Sequence, residues 1–146
     1  MGAVYAQFEL INSDDLALVR NGFLESKDVH RIAASILVDS GAYMMAITED
    51  MKNNLALSKL GEQEVILADG TRKTLEVAGP VDIRFENRET TQRVLVLDNA
   101  AEPLIGVIPI EDLDVIIDPR KEQLVVNPES PGIARKSLKS TLLRYT

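Results

Sequence analysis

Asp39 stands at the end of an apolar run, in "ILVDSGA" over residues 36–42. A carboxylate in that position is either a solvated turn residue or a group held in a dry place for chemistry. Its neighbour Ser40 can act as a nucleophile only with a base, and the chain has a single histidine, His30. If the intervening segment is extended, the two lie roughly 30 Å apart at the usual rise of a strand. His30 therefore reads as a surface strand residue, and a serine-type mechanism at Ser40 is disfavoured. The chain has no cysteine, which excludes thiol catalysis, disulfides and Cys-ligated metals. Asp14 and Asp15 could be imagined as magnesium ligands beside Asp39 at the tips of parallel strands. One strand–helix–strand unit takes about thirty residues, whereas only 24 positions separate Asp15 from Asp39. The two acids fit better as first-turn residues of a helix. The spaced glycines ending in Gly-Lys-Ser/Thr that cradle phosphates are also missing.

One chemistry fits this inventory. A carboxylate activates water without histidine, metal or thiol when a second carboxylate sits beside it. Two such groups a few ångströms apart do not both ionise cheaply, so they share one proton. One member is then a base toward water and the other an acid toward a carbonyl.

The elements that must position Asp39 are mostly strands. "AVYAQFELI" alternates, with Val4, Ala6, Phe8 and Leu10 on one face and Tyr5, Gln7 and Glu9 on the other, as a half-buried strand does. A helix of two or three turns follows, capped by Asn12 or Ser13 and ending near Gly22. Residues 29–39 predict a second strand that runs into the Asp39 motif, and "YMMAI" a short third. "TEDMKNNLALSKLG" predicts a helix capped by Thr48 and stopped at Gly61. Asp69 and Gly70 lie between two β-rich arms, "EVILA" and "TRKTLEV", a strong hairpin signal. A second hairpin turns near Asn87. After a short strand and about one helical turn near Pro109, a last hairpin turns at Pro119 and Arg120. Strands this dense with only short helices between them indicate a closed or nearly closed all-β domain.

Composition agrees. The 146 residues suffice for one domain with a core, and 45% of them are hydrophobic. Aromatics are 4% and tryptophan is absent, so Val, Ile, Leu and Ala must build that core. A net charge of −7 argues against a nucleic-acid surface. No apolar stretch is long enough to span a bilayer, and the start lacks the pattern of a signal peptide, so the expected compartment is the cytoplasm. The expected division is a β domain over residues 1–128 and a basic tail over residues 129–146. Arg135, Lys136, Lys139 and Arg144 mark that tail as a docking segment or a frayed terminus.

"ILVDSGA", followed about sixty-five residues later by "LIG", resembles the retropepsin-like (retroviral-type) aspartic proteases. Their signature is two apolar residues, Asp-Thr/Ser-Gly-Ala/Ser, and a downstream apolar-apolar-Gly. The hairpin at Asp69 and Gly70 falls between the two motifs, where that family places its flap. The resemblance covers residues 29–126 and implies an all-β acid-protease barrel with short helices and one domain per chain. It implies Asp39 as the catalytic carboxylate. Ser40 would hydrogen-bond across to the matching loop of the other half, Gly41 would admit close backbone approach, and Ala42 would keep the cleft floor small. Gly106 would pack beneath the loop, while Asp69 and Gly70 would close over an extended peptide. One Asp-Ser-Gly per chain implies a homodimer with the site on its two-fold axis. The partners implied are a second copy and a peptide or protein substrate, with no nucleic acid, membrane, metal or cofactor. The family usually has a polar pair after its second motif, where this chain has Val107 and Ile108. It often has polar residues after the first motif as well, where Tyr43, Met44 and Met45 stand here. The competing reading is a catalytically silent dimeric module of the same fold that binds peptides or scaffolds an assembly.

Overall fold

The computed structural model describes residues 2–138. Strand β1, Val4–Asn12, buries Val4, Phe8 and Leu10 and exposes Tyr5, the alternation its sequence predicts. It ends at Asn12, whose side chain serves two elements. Its Oδ1 accepts the Asp15 N–H at 3.1 Å and so caps helix α1, Ser13–Arg20. Its Nδ2 donates to the carbonyls of Leu55 and Ala56 at 2.9 and 3.2 Å. Asp15 also accepts from the backbone N–H of His30 and pairs with its Nδ1 at 2.8 Å. That fastens α1 to the exposed residue preceding strand β2, Arg31–Val38.

Strand β3, Ala46–Thr48, leads into helix α2, Glu49–Asn54, with Thr48 as its cap. The helix expected to run on to Gly61 stops seven residues earlier than that. The reason is non-local. Leu55 and Leu57 are buried, Ala56 takes a left-handed φ of 52°, and Asn12 donates to the carbonyls of Leu55 and Ala56 just past the helix end. Gly61 lies instead inside strand β4, Ser58–Ile66, at a shift of register against its neighbour.

Strands β5, Arg72–Phe85, and β6, Arg88–Leu97, form a hairpin turned at Glu86 and Asn87. Strand β7, Leu104–Ile105, precedes helix α3, Val107–Leu113. Strands β8, Val115–Asp118, and β9, Gln123–Val126, make a separate two-stranded ladder. The chain is one mostly β domain with a few short helices.

The main sheet runs β1-β2-β7-β3-β6-β5-β4, and β1 pairs with β5 as well. That last pairing, Glu9 opposite Arg84 through Asn12 opposite Val81, closes six strands into a ring and leaves β4 outside it. β1 is thus an internal strand, bonded on both sides within its own chain. Closure removes the exposed edges a six-stranded sheet would otherwise present. Inside lie Phe8, Leu10, Ile36, Met45, Ile47, Val81, Ile83, Val94 and Ile105. Each such side chain contributes on the order of 1.5–3 kcal/mol relative to exposure. The core is aliphatic, with Phe8 and Phe85 as the one close aromatic pair among the described residues, ring centroids 5.5 Å apart.

Candidate active site

Asp39 is the first residue beyond β2, and the chain turns at once. The Ala42 N–H donates to the Asp39 carbonyl at 3.1 Å, closing a turn through Ser40 and Gly41. The Gly41 N–H donates to Asp39 Oδ1 at 2.9 Å, so the carboxylate is oriented by the backbone two residues on. A Cβ on Gly41 would lie 3.3 Å from that same oxygen, which is why a residue without a side chain suits the position. Asp39 and Ala42 are half-buried, while Ser40 and Gly41 are exposed. Asp39 Oδ2 and the Ser40 hydroxyl have no hydrogen-bond partner among the described residues.

This loop is seated on β7 and the start of α3. β2 and β7 run parallel, with Leu37 opposite Leu104 and Val38 opposite Ile105. The Asp39 N–H continues the ladder to the Ile105 carbonyl at 3.0 Å. Helix α3 begins without a side-chain cap. Its first free N–H groups, on Val107 and Ile108, donate instead to the carbonyls of Ala42 and Tyr43 at 2.9 and 3.1 Å. The helix start and the turn therefore satisfy one another's backbone. Gly106 permits the contact: a Cβ there would fall 2.6 Å from the carbonyl oxygens of Ala42 and Met44. The Met45 carbonyl accepts from the Leu95 N–H at 3.0 Å, tying the loop's far end to β6.

The structure thus brings Asp39, Ser40, Gly41, Ala42 and Gly106 into one backbone clamp. Of the apolar trio that follows, Met45 is core and Met44 half-buried, but Tyr43 is 69% exposed. Val107 and Ile108 are half-buried on α3.

Asp69 and Gly70 occupy the tip of the hairpin of β4 and β5. No hydrogen bond among the described residues joins them to the clamp. The loop is a three-residue one: Leu67 N–H donates to the Thr71 carbonyl, Gly70 N–H to the Leu67 carbonyl, and Gly70 is left-handed at φ 85°. Such loops close with glycine in that conformation. Asp69 Oδ1 accepts the Thr71 hydroxyl at 2.6 Å and the Thr71 N–H at 3.0 Å. These bonds, the hydroxyl's first, hold its carboxyl below the usual carboxylate range. Beside the tip Ile66 and Leu67 are exposed.

A second polar cluster escaped the sequence reading. The Arg88 side chain is fully buried, 3.7 Å from Asp114 Oδ2, and donates to the Ser130 carbonyl. Asp114, left-handed at the end of α3, accepts from the Ser130 hydroxyl at 2.5 Å, Asn127 Nδ2 at 2.9 Å and the Arg135 N–H at 2.9 Å. Those donors, Ser130 foremost, hold its carboxyl well below the usual range, and the Arg88 charge adds to them. A signal was available in the strand itself. Arg88 and Thr90 share the inward face of β6 with Val94 and Val96, and buried polar side chains need partners. Of the residues expected as a basic tail, Arg135 also pairs with Glu129 and Lys136 with Asp112. Lys139 and Arg144 lie outside the described residues.

Among the described residues no group of three or more His, Asp and Glu side chains is placed to hold a metal ion. No helix among them is long and apolar enough to cross a membrane. No family model and no curated protein matches the chain. Among solved structures it is similar to EIAV protease complexed with the inhibitor HBY-793. The identity is 25% over 56% of this chain and 77% of that one, with a TM-score of 0.47.

Proposed function

We propose that this chain is one half of a homodimeric, retropepsin-like aspartic endopeptidase, with Asp39 and its copy from an identical chain as the catalytic pair. The observation that carries the reading is the seating of Asp39. One carboxylate oxygen is fixed by the Gly41 N–H, the loop is held on β7 and α3, and the other oxygen has no partner within the described chain. A lone oriented acid of this kind needs a second acid to do hydrolysis, and two-fold symmetry supplies it. Ser40, exposed beside it, would bridge to the opposite loop and set the spacing of the pair.

In the reaction, the ionised member takes a proton from water as the water oxygen bonds to the scissile carbonyl carbon. The protonated member donates a hydrogen bond to the carbonyl oxygen. On collapse of the tetrahedral intermediate, a proton passes to the leaving nitrogen, the C–N bond breaks and the pair again holds one proton. No acyl-enzyme forms and no cofactor is needed. The hairpin carrying Asp69 and Gly70 would close over an extended peptide and bond to its backbone. The proposed setting is the cytoplasm.

The test is binding of a statine-containing peptide that mimics the tetrahedral intermediate. The expected result is a raised melting temperature for the wild-type chain and none for Asp39→Ala. No binding together with no cleavage across a peptide library would leave the silent binding module as the better reading.

A further inference from the structure

The clamp beneath Asp39 uses only the first turn of α3. The other end of that helix is where the buried polar cluster lies, seven residues or about 10 Å away along a helix of this length. We propose that residues 127–136 form a strap that positions the Asp39 loop by fixing the C-terminal end of α3, with Ser130 and Asn127 as positioning residues. The activity part of this inference rests on the reading of Asp39 given above.

The strap is sewn down from both sides. Asp114 ends α3, and its carboxylate accepts from Asn127, Ser130 and Arg135, all in the strap. Its carbonyl accepts the Asn127 N–H at 3.2 Å. From the turn between β5 and β6, Asn87 Nδ2 donates to the Pro131 and Gly132 carbonyls, and buried Arg88 donates to that of Ser130. Asp112, two residues before Asp114, accepts the Thr90 hydroxyl at 2.5 Å and is paired with Lys136. The last turn of α3 is therefore held between β6 and the strap.

The first turn of the same helix carries the two N–H groups that hold the carbonyls of Ala42 and Tyr43. Gly106 packs closely there, since even a Cβ on it would stand 2.6 Å from the carbonyl oxygens of Ala42 and Met44. A helix of two turns transmits a tilt at one end to the other. Release of the strap therefore loosens the turn that orients Asp39, although no hydrogen bond among the described residues joins the strap to Asp39. Displacements of about 1 Å in reacting groups cost on the order of a hundredfold in rate, so a small tilt suffices.

The test combines amide exchange and kinetics on the full chain, comparing wild type, Ser130→Ala and Ser130→Thr. In Ser130→Ala the Val107 and Ile108 amides should exchange about tenfold faster, while the ladder of β1 and β2 keeps its protection. On a cleaved peptide, kcat should fall about tenfold with KM within about twofold, because substrate contacts are untouched. Ser130→Thr keeps the hydroxyl and should restore both. Should Ser130→Ala fail to fold, Asn127→Ala, which removes one donor to Asp114, takes its place. Loss of protection confined to residues 127–136, or spread evenly over the chain, overturns the strap, as does unchanged kcat in a competent enzyme. If the wild type cleaves no peptide, the protease reading fails by itself, and the exchange arm still decides the strap.

Discussion

Gly106 meets Ala42 so closely that a single added methyl would stand 2.6 Å from the Ala42 carbonyl oxygen, and as near to that of Met44. Both obstacles are backbone, so neither can swing aside as a flexible side chain would. Gly106→Ala must push the turn at Asp39 away from α3 or break the bonds from Val107 and Ile108. Overpacking of this kind costs about 1–3 kcal/mol. Urea denaturation should report that loss in the midpoint, and any folded fraction should show weakened activity. A variant as stable and active as wild type would mean that the clamp is not rigid.

Asp39→Asn should leave the fold intact and remove turnover. Asparagine retains the Oδ1 that accepts the Gly41 N–H, so the turn survives. It cannot take a proton from water, and general-base loss of this type lowers rates by on the order of 10²–10⁴. The measurement is kcat on any peptide the wild type cleaves, alongside an unchanged circular dichroism spectrum.

How much of this was readable beforehand depends on range along the chain. The Asp39 turn, the Asp69 and Gly70 hairpin and the caps at Asn12 and Thr48 are set by neighbours within a few residues. Their residue types announce them. The end of α2 is not legible locally, because the chain leaves the helix at Leu55, whose carbonyl accepts the Asn12 side-chain N–H from 43 positions away. The pairing of β1 with β5 that closes the ring leaves no local mark. Gly106 was singled out through family resemblance alone, since its need arises from contact with residues 42 and 44. Arg88 found its acceptor at Ser130, 42 positions on. There a clue existed, a charged residue on an inward-facing parity, but nothing local named its partners.

Acid should weaken the chain partly through Asp114. Its carboxyl is depressed in the folded state by the Ser130, Asn127 and Arg135 donors and by Arg88. A depressed carboxylate contributes stability above the unfolded value, near pH 4, and that contribution fades as pH falls through the folded value. The gap in urea midpoint between wild type and Asp114→Asn should therefore be widest at neutral pH. It should shrink steadily below about pH 4. A gap independent of pH would show that ionisation of Asp114 is not what holds the strap.

Tyr43 should matter to substrate and hardly to folding. The residue is 69% exposed, while its carbonyl, four residues on from Asp39, is held by the Ile108 N–H. Tyr43→Ala should shift stability by no more than about 0.5 kcal/mol, as exposed substitutions do. If the ring lies along the bound peptide, KM should rise several-fold and Tyr43→Phe should keep most of the affinity, because the contact is the ring's apolar face. Unaltered KM in Tyr43→Ala would remove the residue from the cleft.

Activity should depend on protein concentration more steeply than linearly. A site completed by a second copy exists only in the dimer, so diluting the chain below its dissociation constant should lower specific activity. The melting temperature should fall with it by mass action. Mixing wild type with excess Asp39→Asn supplies a sharper version. Exchange of subunits yields heterodimers holding one intact acid and one amide, and these cannot share a proton between two carboxylates. Wild-type activity should decline toward the fraction of remaining wild-type homodimers, and analytical ultracentrifugation should give twice the chain mass for both pure proteins. Activity that stays proportional to wild-type chain at every mixing ratio would mean that each chain works alone, and the catalytic pair would then have to be sought within one chain.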